Sequence, residues 1–166
     1  MTPLAGTLGP SARRAGGGAD PAGYALVTGA CSGIGLEMAR ELARRGHPLV
    51  VVSNRGQELG ACAQRLAGDH RVPVHPLTMD LAGDGAAAAL HEAVQRLGIE
   101  VDILVSNAGM FFFGEVAETD PQRAEAMLRL HVLTPSLLAH LFGHDMRARG
   151  RGHILLVSSV SAWRDF

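Results

Sequence analysis

Apolar residues are distributed along this chain in two alternating ways. Mostly apolar runs at Tyr24–Thr28, 49–52, 101–105 (with Asp102 inside it) and 154–157 have the length and β-branched content of buried strands. Between them, apolar residues recur every three or four positions, as on one face of a helix. Ile34, Met38 and Leu42 form the first such stripe, with Glu37, Arg40, Glu41 and Arg44 on other faces and Gly46 closing it. Leu59, Cys62, Ala63 and Leu66 form the second, ending near Gly68. Ala86, Leu90, Ala93, Val94 and Leu97 form the third, ending at Gly98. A weaker run at 72–79 contains Pro73 and Pro76, and proline cannot donate to a ladder, which predicts an edge strand. Asp120 followed by Pro121 reads as a helix N-cap. The spacing then predicts one long helix to about Ala148, with Leu130, Leu133, Leu137 and Leu141 facing inward.

Continuously apolar strands alternating with amphipathic helices predict an α/β fold: a doubly wound parallel sheet in three layers, with about five strands. The domain is expected over 23–166. Residues 1–22 are rich in Gly, Pro and Ala and predict a disordered tail. They lack the apolar core of a signal peptide, and Arg13-Arg14 is followed by Ala15-Gly16-Gly17-Gly18 instead of an apolar stretch.

Composition narrows the possible chemistry. The 166 residues suit one domain, and a net charge of −1 gives no electrostatic footprint for nucleic acid. No apolar run approaches the ~18 residues that would span a bilayer. Cys31 and Cys62 make no metal-ligand spacing and fit a reduced compartment, so a cytoplasmic protein is expected. All 15 residues in the Lys+Arg count are arginines, and Tyr24 is the one tyrosine. A mechanism needing lysine is therefore excluded for these residues, and a catalytic tyrosine could only be Tyr24.

The first strand runs directly into Thr28-Gly29-Ala30-Cys31-Ser32-Gly33-Ile34-Gly35. Glycines at a strand-to-helix junction allow a tight turn and a close backbone approach to a pyrophosphate. The helix that follows aims free N–H groups and its positive dipole end at that phosphate. A tight turn without a ligand is the plainer alternative.

This GxxxGxG spacing with its leading threonine resembles the short-chain dehydrogenase/reductase family. Asp80-Leu81 after the third strand looks like the family's adenine-contacting segment. Ser106-Asn107-Ala108-Gly109 looks like its NNAG segment, and Ser158-Ser159 like its active-site serine segment. The resemblance spans about 22–166. It implies a Rossmann-type fold and an NAD(P)-dependent oxidoreductase passing hydride between nicotinamide and a small carbonyl or alcohol substrate. It implies cofactor contacts at Thr28, Gly29, Ser32, Gly33, Ile34, Gly35, Asn54, Arg55, Asp80, Leu81, Asn107, Ala108 and Gly109, and a catalytic Ser159. The second strand ends in Ser53-Asn54-Arg55, with no acid to hold a free 2′-hydroxyl and an arginine to pair with a 2′-phosphate. NADP is therefore expected over NAD, the alternative being that Arg55 is a solvated charge.

The resemblance breaks at the catalytic residues. The family's YxxxK tyrosine and lysine would fall beyond Phe166. Tyr24 opens the first strand, about 13 Å from its cofactor end, and reads as a packing residue. His131 occupies the family's asparagine position, where it could donate or shuttle a proton, or simply be tolerated. Pro135 removes the helical donor to the His131 carbonyl, which could then hold a relay water. His140 and His144 lack a third metal ligand, so no metal is expected. Cys31 fills a variable position of the turn. Met110-Phe111-Phe112-Phe113 could line an apolar substrate pocket, pack a loop or contact another copy. The family sheet continues past the fifth strand, so these residues are expected to lack its C-terminal strands. Residues 153–158 would then form an uncovered edge prone to association. Homo-oligomerisation through the long helix is the other expected contact, with no nucleic-acid or membrane partner. The leading function is this oxidoreductase, inactive in the 166-residue form. The alternatives are a dinucleotide-binding pseudoenzyme or sensor, or a non-functional gene fragment.

Overall fold

In the computed structural model, which describes residues 23–159, strands form at all five of the predicted runs. The predicted tail at 1–22 and the last seven residues lie outside the described residues. The strands are β1 (Tyr24–Thr28), β2 (Leu49–Ser53), β3 (Val74–Thr78), β4 (Val101–Ser106) and β5 (His153–Leu156). They form one parallel sheet in the order β3-β2-β1-β4-β5. β3 is at an edge, as its prolines require.

β1 and β2 are apolar up to their final Thr28 and Ser53, and β4 is apolar apart from Asp102 and Ser106, because both faces of the sheet are covered. Ala25, Val27, Leu49 and Val51 point to one face, where α1 (Gly33–Arg44) and α2 (Gly56–His70) pack. Leu26, Val50, Val52 and Leu104 point to the other, against α3 (Ala86–Arg96) and α5 (Thr134–Arg149). Leu59, Cys62, Ala63 and Leu66 are the buried face of α2, as predicted.

Three helical faces differ from the sequence expectation; on α3 the stripe holds at Ala86, Leu90 and Val94, but Leu97, just past the helix end, is 44% exposed. On α1 the buried residues are Gly35, Ala39 and Ala43, while Ile34 is 60% exposed. Small side chains let this helix lie close to the sheet, and Met38 and Leu42 flank the contact. The long helix begins as α4 (Pro121–Leu128), with Asp120 Oδ1 accepting from the Gln122 N–H at 3.0 Å. It then widens into a π turn at Arg129–Leu133, where the Thr134 N–H reaches back to the Arg129 carbonyl. This wider turn delays the inward face by one residue. The buried stripe is Thr134, Leu138, Phe142 and Met146, whereas Leu133 and Leu137 are 48% and 42% exposed. Leu130 and Leu141 remain partly buried against the core.

Candidate functional site

The strand order reverses between β1 and β4, and their carboxyl ends leave a crevice there. A cleft of about 450 Å³ opens at this point. Its walls come from the segments that follow four different elements: Gly29 and Ser32 after β1, Ser53, Asn54 and Arg55 at β2, Asp80 and Leu81 after β3, and Asn107, Ala108 and Gly109 after β4.

The glycine turn is built by close backbone contact. Gly29 has φ +68°, and a Cβ on it would meet Ala108 Cα at 2.9 Å. A Cβ on Gly35 would collide with the Gly29 carbonyl oxygen and with Asn107 Nδ2. Thr28 is fully buried, and its Oγ1 accepts from the N–H groups of Asn107 at 2.9 Å and Ala108 at 3.0 Å. Asn107 Nδ2 returns a hydrogen bond to the Thr28 carbonyl at 3.1 Å. The turn after β1 and the loop after β4 are thus one hydrogen-bonded unit. Gly33 and Ile34 form the exposed first turn of α1, and Gly35 is buried beneath it.

Arg55 crosses the cleft mouth. Its Nη2 donates to Ser32 Oγ at 2.8 Å, and its Nη1 pairs with Glu58 at 2.8 Å. Asp80 Oδ1 accepts from the Ala82 N–H at 3.0 Å, which shapes the turn after β3. The Leu81 side chain is buried, and its carbonyl accepts from Thr134 Oγ1 at 2.8 Å.

His131 lies beside the cleft under the loop after β4. Its Nε2 is 3.0 Å from the Met110 nitrogen and 2.8 Å from the Met110 oxygen. One nitrogen either accepts from that N–H or donates to that carbonyl, according to the tautomer. A Cβ on Gly109 would meet the imidazole ring at 2.8 Å, so this glycine lets the ring approach. Ser159 is exposed, follows β5 at the same carboxyl edge of the sheet, and does not line the cleft. Tyr24 is remote from the cleft, its hydroxyl 3.4 Å from His75 Nε2. Of the Met110-Phe111-Phe112-Phe113 run, which the sequence offered as pocket lining, Met110 lines the cleft; Ala126 and Leu130 also line it and were not anticipated from sequence. Thr134 was missed as well. Its one signal is a hydroxyl residue in phase with Leu138 and Phe142.

The family model described as short chain dehydrogenase matches residues 23–165. The chain is a member of the short-chain dehydrogenase/reductase family. Among curated relatives, it is 33% identical over 141 residues to dehydrogenase/reductase SDR family member 7B of Bos taurus, covering 81% of this chain and 43% of that protein. It is 29% identical to a 7beta-hydroxysteroid dehydrogenase of Clostridium sardiniense, covering 84% and 53%. Among solved structures, a short-chain dehydrogenase from Sphingobium yanoikuyae in complex with NADPH superposes with a TM-score of 0.79 at 32% identity, covering 85% and 55%. An L-sorbose reductase from Gluconobacter frateurii, complexed with NADPH and L-sorbose, gives 0.79 at 31% identity, covering 85% and 54%. This short-chain dehydrogenase/reductase chain spans about half the length of the relatives it matches. Among its described residues, no helix is long and apolar enough to cross a membrane.

Proposed function

We propose that these residues bind NADP(H) in preference to NAD(H), as the cofactor-binding part of an oxidoreductase for small carbonyl or alcohol substrates. The observation that carries this reading is the Arg55 guanidinium, hydrogen-bonded to Ser32 of the glycine turn at the cleft mouth. A 2′-phosphate there would receive a charge-assisted bond from Arg55 and a hydroxyl from Ser32. The turn at Gly29, which tolerates no Cβ, leaves backbone room for the pyrophosphate. Asp80 and Leu81 would flank the adenine, and Asn107, Ala108 and Gly109 would floor the far half of the cleft. Related structures solved in complex with NADPH or NADP support the same preference.

The bound dinucleotide supplies hydride chemistry. Ser159 is proposed to hydrogen-bond the substrate oxygen. His131 is proposed to hold the loop after β4 in place through Met110. The Tyr24 hydroxyl faces His75, and the sequence contains no lysine. We therefore propose that these 166 residues bind the dinucleotide without turning over substrate. Association between copies through the exposed Leu133 and Leu137 is part of the proposal, as is cytoplasmic residence, which the two free cysteines support.

Parallel titrations with NADP+ and NAD+, alongside a hydride-transfer assay on simple ketones, test the reading. Tighter NADP+ binding without turnover is expected. Tighter NAD+ binding overturns the preference, and measurable turnover by the 166-residue chain overturns the proposed inactivity.

A further inference from the structure

The two cysteines are distant in sequence and close in space. Cys31 lies inside the glycine turn, between Gly29 and Gly33, and is half-buried. Cys62 lies on α2, almost wholly buried, and its Sγ–H donates to the Ala30 carbonyl oxygen at 3.4 Å. One rigid peptide unit separates that oxygen from Cys31 Cα, which puts the Cys62 sulfur within about 6 Å of it. Both side chains pack in the same apolar layer between the sheet, α1 and α2. In a disulfide the two Cβ atoms lie about 3.5–4.5 Å apart, so the turn must carry Cys31 towards Cys62 by a few ångströms. The turn can supply it. The freedom lies on the helix side of Cys31, where Gly33 has φ +55° and nothing lies within 4 Å of the position its Cβ would take, while Gly29 stays fixed against Ala108.

We propose that Cys31 and Cys62 are a thiol pair that a peroxide converts to a disulfide, and that this bond disables the glycine turn for dinucleotide binding. The regulatory half rests on the dinucleotide reading above. Peroxide reaches Cys31 first, because Cys62 is shielded. The Cys31 thiolate attacks one peroxide oxygen, the O–O bond breaks, and Cys31 becomes a sulfenic acid as hydroxide leaves. The Cys62 sulfur then attacks the Cys31 sulfur, forming the S–S bond and releasing water. Overall two thiols and one hydrogen peroxide give one disulfide and two waters. Burial pushes the Cys62 thiol up from its ordinary value, and the neighbouring Cys31 pushes the same way, while Arg65 and Arg40 oppose them. The second step therefore quickens as pH rises.

Bond formation takes Cys62 from the Ala30 carbonyl and draws Cys31 towards α2. Ser32 moves with it, which disturbs the hydrogen bond that holds Arg55 at the cleft mouth.

The test treats the purified chain with hydrogen peroxide, then reads intact mass, arginine-specific peptide maps and NADP+ affinity before and after dithiothreitol. Cleavage at arginine places Cys31 in 15–40 and Cys62 in 56–65, so a cross-link appears as a joined pair of peptides. The expected result is loss of two hydrogens, the 15–40/56–65 cross-link, at least about tenfold weaker NADP+ binding, and recovery on reduction. Cys62→Ala should abolish the cross-link and the loss of affinity, and Cys31→Ser should do the same. Sulfinic acid at Cys31 with Cys62 still a thiol overturns the proposal, as does a cross-link only between chains. A correct cross-link with unchanged affinity overturns the switch. If the reduced chain binds no dinucleotide, the cofactor reading and the switch both fail, and the mass shift alone decides whether the disulfide forms.

Discussion

Thr28→Val tests the coupling between the glycine turn and the loop after β4. The substitution keeps the shape of a fully buried side chain and removes the oxygen that accepts from Asn107 N at 2.9 Å and Ala108 N at 3.0 Å. A donor left without a partner costs about 1–3 kcal/mol when buried. Asn107 and Ala108 are only partly buried, so water recovers some of this, and the two losses together come to about 2–3 kcal/mol. For a domain of this size that lowers the melting temperature by roughly 5–10 °C. The loop after β4 also loses its anchor, so NADP+ affinity should fall with stability. Thr28→Ser keeps the acceptor and should restore most of both. Thermal melts and NADP+ titrations of the three proteins give the readout. A Thr28→Val protein melting within about 1 °C of the parent, with unchanged affinity, refutes the idea that this hydroxyl joins the two loops.

Further outcomes follow from the same geometry. Arg55→Ala should weaken NADP+ binding by about 10–100-fold, the loss of one charge-assisted contact, and leave NAD+ binding nearly unchanged in equilibrium titrations. Gly35→Ala should abolish dinucleotide binding, because its Cβ meets the Gly29 carbonyl and Asn107; calorimetry against NADP+ reads this directly. Leu138→Ala should cost about 2–5 kcal/mol in denaturant unfolding, whereas Leu133→Ala, on an exposed residue, should cost under about 1 kcal/mol. Equal costs would place the inward face of the long helix elsewhere. All four β5 residues are exposed at the sheet edge, so the chain should associate in size-exclusion chromatography, and Leu155→Lys should reduce that association.

The strands were readable because a parallel sheet covered on both faces leaves little room for polar residues in β1, β2 and β4. The proline-bearing run was readable as an edge for a different reason, since proline cannot donate to a ladder. Helical faces were read less well where size misleads. Ile34 is large and exposed, while Gly35, Ala39 and Ala43 make the contact because they are small. The phase of α5 depended on a π turn, for which Pro135 is the sequence mark, since it removes a helical donor. At the site, Gly29, Gly35, Arg55, Asp80 and Asn107 lie in contiguous motifs beside strand ends, and their positions followed from pattern. The contacts of His131 with Met110 and of Thr134 with Leu81 join segments brought together only by folding. No local spacing encodes them.

The central claim is that a dinucleotide lies across the crevice between β1 and β4. Backbone amide chemical shifts of the isotopically labelled chain, followed during NADP+ titration, test it residue by residue. The account predicts saturable shifts at Gly29, Ser32, Gly35, Arg55, Asp80 and Asn107, and none at His91 or Asp145, which pair at 2.7 Å between α3 and α5 and do not line the cleft. Shifts confined to other surfaces, or none at saturating NADP+, would contradict it.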